Sequence, residues 1–194
     1  MTETRIMDLR VQKTREAIRR TFEEMILEMD FEDITVKELA KRARINRRTF
    51  YLHYETLDCL LSELKGELTQ KYIERTRELE RPRDMDKLTR EFFLYSEELG
   101  ELGERITCSG TYRGISRELT NDIMEQTWEK DRPRPEQDPY RRRVVMEFVS
   151  QGTLAVYRQW VAEGKKVPIE QIIEITAALV CRGLEGIAGL KRSS

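Results

Sequence analysis

Six basic side chains crowd the stretch from Thr35 to Tyr54: Lys37, Lys41, Arg42, Arg44, Arg47 and Arg48 stand against Glu38 alone, a local charge of +5 in a chain of net charge −1. A guanidinium can bond bidentately to guanine O6 and N7, or to a phosphate. One basic segment on an otherwise acidic protein is an electrostatic footprint for a polyanion. Arg47, Arg48 and Thr49 are consecutive and suited to base edges, while Tyr51 and His53 offer a hydroxyl and an imidazole to backbone phosphates. Nothing comparable supports catalysis. His53 is the one histidine, and no nucleophile–base grouping, glycine-rich phosphate loop or metal-ligand spacing is visible. Cys59, Cys108 and Cys181 are odd in number and far apart, which points to reduced thiols in a cytoplasm. The expectation is a protein that binds double-stranded DNA, with no catalytic residues, no metal and no cofactor.

Two short helices must position these groups. Thr35 and Glu38 form a capping box that opens the first. Asn46 is a good N-cap for the second, Arg47 to about His53, and is counted with the DNA-binding surface. A turn from Arg44 to Asn46 separates them, which makes a helix-turn-helix whose second helix leads with Arg47, Arg48 and Thr49. Phe50 and Tyr54 alternate with the polar positions and are expected to pack it onto a first helix of about 8–30, where Ile18, Phe22, Met25, Ile26 and Met29 recur at helical spacing. Thr56 can cap a fourth helix, to about Leu79, that buries Leu57, Leu60, Leu61, Leu64 and Leu68.

Helical patterns follow at about 84–99, 101–108, 111–129, 139–164 and 168–190, and the fold class is all-α. The predicted domains are 1–55, a three-helix DNA-binding domain, and 56–194, a helical bundle for effector binding and dimerisation. The proline-rich stretch 130–139 reads as a mobile loop. The last two helices are the most apolar. Val149, Val156 and Trp160 on one, with Val180, Leu184 and Ile187 on the other, form stripes expected to pair across a two-fold axis in a homodimer. A second stripe on the last helix runs Ile172, Ile175, Leu179, Gly183, Gly186, Leu190. Gly183 and Gly186 suggest close backbone approach there, since glycine inside a helix costs roughly 1 kcal/mol relative to alanine. Phe92, Phe93, Tyr95, Tyr112 and Trp128 are candidates for an effector pocket. The acidic balance outside the basic segment points to a neutral or cationic effector.

The run F-x-x-I-T-V-x-x-L-A at Phe31–Ala40, the run T-F-Y-L-H-Y at Thr49–Tyr54, the aromatic Phe22 and the leucine-rich fourth helix resemble the DNA-binding domain of the tetracycline-repressor (TetR/AcrR) family. W-V-A-E-G at Trp160–Gly164, followed by a proline-initiated last helix, is similar to a common C-terminal domain of that family. The resemblance implies a dimeric regulator, most often a repressor, that binds a palindromic operator and is released by a small-molecule effector of unknown identity. It assigns Thr35 and Lys37 to backbone contacts at the start of the second helix. The chain departs from the family at Arg44, where glycine is common. It departs again at Thr56, Leu57 and Asp58, where a phosphate-touching lysine is common. A co-activator or protein-interaction dimer with no ligand of its own stays open as an alternative. No apolar run approaches the ~18 residues of a membrane span, and the polar start MTETRIMDLR lacks the apolar core of a signal peptide.

Overall fold

A computed structural model describes the backbone of residues 2–81, 83–128 and 139–188, and the side chains of 9–81, 83–127 and 139–186. Nine α-helices and no strand occur among the described residues: α1 (Thr2–Glu28), α2 (Val36–Arg42), α3 (Arg47–Tyr51), α4 (Leu57–Arg75), α5 (Met85–Glu98), α6 (Gly100–Cys108), α7 (Arg113–Trp128), α8 (Pro139–Ala162) and α9 (Ile169–Ala188). The all-α expectation holds. Most of the expected loop at 130–139 lies outside the described residues. No described helix is long and apolar enough to cross a membrane.

The chain divides into two compact units, Met1–Leu68 and Thr69–Ser194, so α4 is shared between them. In the first unit, Ile18, Phe22, Met25 and Ile26 recur one helical turn apart on α1 and are wholly buried, as are Leu39 of α2, Phe50 of α3 and Leu60 of α4. Burying each such side chain is worth about 1.5–3 kcal/mol, so this apolar core holds the unit together. Arg19 bonds both oxygens of Glu67 at 2.7 and 2.8 Å, and Arg15 pairs with Glu63, which pins α1 to the first part of α4. These half-exposed pairs orient the helices more than they stabilise them.

The second unit has two apolar clusters. One joins Met85 and Leu88 of α5 to Val149 of α8 and Val180 of α9, with Val145 and Leu184 packed against it. The other joins Phe93 to Tyr157, Trp160 and Ile173, with Phe92 and Val156 alongside. The end of α8 is locked by ion pairs. Lys165 reaches Glu97 at 2.8 Å and Glu104 at 2.6 Å, and its ammonium lies 5.4 Å from the Trp160 ring centre.

This packing changes the expected dimer face. Val149, Trp160 and Val180 are 4%, 5% and 4% exposed, so they are committed to the unit's own core. Val156 and Leu184 are partly buried against the same clusters, and the side chain of Ile187 lies outside those described. The register of α8 and α9 turns a different row outward. Val144 (48% exposed) and Phe148 (55%) lie one turn apart on α8, and Ile175 (48%) and Leu179 (59%) one turn apart on α9. The expected close approach at the glycines is partial within the chain. A Cβ at Gly183 would meet the Phe148 ring at 3.5 Å, whereas Gly186 faces open space.

Candidate nucleic-acid interface

The two short helices stand where the capping residues place them. Thr35 Oγ1 accepts from the Glu38 N–H at 3.3 Å and starts α2. The reciprocal half of the expected capping box is not made. The Glu38 carboxylate accepts instead from Arg42 Nε at 3.0 Å. Arg42 also pairs with Glu28 of α1. A charge-assisted bond to a guanidinium one turn away outcompetes a bond to a backbone N–H, and the Glu38 carboxyl is lowered below its ordinary pKa by that hydrogen bond. Arg42 thus serves to dock α2 on α1, although the sequence counts it with the basic surface.

α3 opens on Asn46, whose Oδ1 accepts from the Thr49 N–H at 2.7 Å and the Thr49 hydroxyl at 3.0 Å. Asn46 and Thr49 are therefore engaged in building the helix start. The buried face of α3 is Phe50, which is wholly buried and packs at 5.8 Å against Tyr54. The Tyr54 hydroxyl donates to Glu63 at 2.8 Å, and burial followed by that bond pushes its pKa up to about 12. Arg15 lies 5.3 Å from its ring centre. Tyr54 fixes the end of the motif to α4.

With Phe50 turned inward, Arg47, Arg48 and Tyr51 are turned outward, and Tyr51 is 57% exposed. His53 is half-buried. Lys37, Arg44, Arg47 and Arg48 form no ion pair among the described residues. Arg44, in the turn between the helices, has a φ of +55°. This surface offers exposed cations on two short helices and the turn between them, and it can make bonds to phosphates and guanine edges. The expected roles of Thr35 and Lys37 remain compatible with their exposure at the start of α2.

The second unit contains a cavity of about 70 Å³ where the end of α4 meets α5, α7 and α8, among Tyr72, Arg81, Met85, Phe92, Met124 and Val149. Of the aromatic candidates, Phe92 lines it. Phe93, Tyr95 and Tyr112 are buried in the core instead, and the Trp128 side chain lies outside those described. Arg81, which sequence reasoning did not single out, is the one charged side chain in the lining among the described residues. The surface's acidic balance therefore says nothing about this cavity.

No family model and no curated protein matches the sequence. Solved structures do. A TetR transcriptional regulator from Streptococcus agalactiae superposes with a TM-score of 0.73 at 20% identity, over 92% of this chain and 99% of that one. NalD, the secondary repressor of the MexAB-OprM multidrug efflux pump in Pseudomonas aeruginosa, matches with a TM-score of 0.59 at 17% identity, over 94% and 100%. The fatty acid degradation regulator FadR from Bacillus halodurans matches with a TM-score of 0.58 at 16% identity, over 88% and 96%. From its helix-turn-helix to its last two helices, this chain has the fold of the TetR/AcrR transcriptional regulators.

Proposed function

We propose that the chain is a sequence-specific DNA-binding transcriptional regulator, a repressor that acts as a homodimer on a two-fold-symmetric operator and leaves it when a small molecule binds the second unit. The observation that carries this reading is α3. It is capped by Asn46 and anchored by the buried Phe50, and it holds Arg47, Arg48 and Tyr51 out to solvent. A helix that buries Phe50 and exposes arginines with no ion pair among the described residues at its leading end is built to enter a major groove. The similar folds named as regulators support the same assignment.

The outward row of Val144, Phe148, Ile175 and Leu179 supports homodimerisation. A second copy meets that row with an identical one, as a two-fold interface requires. The cavity lined by Met85, Phe92, Met124 and Val149 suits a small, largely apolar effector. α4 gives it a continuous helix into the DNA-binding unit. Release needs recognition helices displaced from a spacing of about one DNA turn, ~34–36 Å or a multiple. The effector can shift that equilibrium only by its differential affinity for the two spacings.

Selecting bound sites from a pool of random duplexes tests the reading. A palindromic sequence with two half-sites is expected to emerge. Recovery of no sequence above the starting pool would refute it.

A further inference from the structure

Among the described residues, Arg44 and Lys165 are the two non-glycine residues with a left-handed backbone, at φ +55° and +54°. An L side chain is disfavoured there by contact between its Cβ and the carbonyl that follows. Both positions end a helix. At Arg44 the conformation is demanded by the turn. The Ile45 N–H donates to the Ala40 carbonyl at 2.9 Å and the Arg44 N–H to the Lys41 carbonyl at 3.2 Å. This pair of bonds closes α2 and needs a left-handed residue after the helix, where glycine is the unstrained choice.

At Lys165 the strain has an evident offset within the chain. Its ammonium binds Glu97 and Glu104 and lies over Trp160. At Arg44 the offset is missing. The side chain is exposed, and it forms no ion pair among the described residues. Among the described residues no ion pair or side-chain hydrogen bond accounts for a strained arginine at this turn. Its neighbours along the chain are the exposed arginines that lead α3.

We infer that Arg44 is a DNA-backbone contact, a phosphate-binding cation supplied by the turn itself and independent of base sequence. The inference rests on the DNA-binding function proposed above and extends it to a residue outside both helices. The backbone is held rigidly by the turn's two hydrogen bonds, so the side chain starts from a fixed point. A fixed arginine gives up less freedom on meeting a phosphate than one on a loose loop would.

The test uses the full-length protein and the operator recovered by selection, with a scrambled duplex beside it. Binding is titrated as a function of salt for the wild type and for Arg44→Gly, Arg44→Gln and Arg44→Lys. Each phosphate neutralised contributes about 0.9 to the slope of log affinity against log salt. A bound dimer carries two copies of Arg44, so Gly and Gln variants are expected to lose about 1.8 of slope on both duplexes. Two contacts of that size are worth roughly a 12-fold change in affinity between 50 and 200 mM salt. Lys is expected to keep the slope. Arg44→Gly is also expected to melt about 4 °C higher, because strain is relieved, so its loss of binding cannot come from misfolding. Unchanged slopes in both Gly and Gln variants would overturn the inference while leaving the DNA-binding function intact. A wild type that binds neither duplex would overturn both.

Discussion

Leu179→Glu is expected to separate the protomers without unfolding them. Leu179 is 59% exposed, and with Val144, Phe148 and Ile175 it leaves about half of four apolar side chains per protomer in water. Full burial of such a side chain is worth about 1.5–3 kcal/mol, so each half still to be buried contributes about 1 kcal/mol. A two-fold interface counts every residue twice, for a gross gain of about 8 kcal/mol before the cost of association is subtracted. The substitution removes about 2 kcal/mol of this across the axis. That weakens dimerisation at least about 30-fold, and further as two carboxylates lose water. Sedimentation equilibrium over a wide concentration range reads the change, with far-UV circular dichroism to confirm retained helix. Val180→Ala is the contrasting variant. Val180 is 4% exposed and lies in the cluster with Met85, Leu88 and Val149, so its truncation lowers stability by about 2 kcal/mol while the dimer persists. A Leu179→Glu protein that stays dimeric, or a Val180→Ala protein that dissociates while fully folded, would refute the assignment of faces.

Arg47→Ala and Arg48→Ala are expected to relax sequence preference, costing about 1–3 kcal/mol against the best site, whereas Tyr51→Phe and His53→Ala weaken specific and scrambled DNA alike in quantitative gel-shift titrations; equal losses on both duplexes for all four would end the division into readers and phosphate holders. Phe50→Ala, at a wholly buried site, is expected to cost about 3–5 kcal/mol and to abolish operator binding, with an early transition in urea melts that reports the first unit. Asp84 supplies a pH dependence. The Lys87 ammonium at 2.7 Å, then the Glu80 N–H at 3.0 Å, hold its carboxyl at about 2. The pKa is depressed from the ~3.9 of an unfolded aspartate, so the stabilisation is complete above that value and is lost as pH falls toward about 2. Urea midpoints measured from about pH 5 to about pH 2 are expected to fall less steeply in Asp84→Asn than in the wild type.

The helix-turn-helix was legible because its signals are local. Thr35 and Asn46 each cap the helix that follows them, and Phe50 and Tyr54 sit at the spacing that buries both. Tertiary competition was not legible. Whether Glu38 would turn to the backbone or to Arg42 depends on α1, because Glu28 helps to place that guanidinium. The faces of α8 and α9 were hidden for a related reason. α9 carries two apolar rows, and periodicity cannot say which of them its own unit takes. Met85 and Leu88 of α5 decide it by packing on Val180, which leaves Ile175 and Leu179 outside. The cavity was half visible. Phe92 lines it, but Phe93 is needed against Tyr157 and Trp160. Arg81 lies beyond the end of α4, where no helical pattern draws attention to it.

The claim that α3 enters the major groove with Arg47 and Arg48 leading is tested most directly by methylation interference on the selected operator. Dimethyl sulfate marks guanine at N7 in the major groove and adenine at N3 in the minor groove. Interference is expected at guanines in two clusters about one DNA turn apart, ~34–36 Å or a multiple. It is expected to vanish at the same guanines in the Arg47→Ala, Arg48→Ala double variant, which should retain salt-dependent binding. Interference confined to adenines, or guanine interference unchanged in the double variant, would contradict the account.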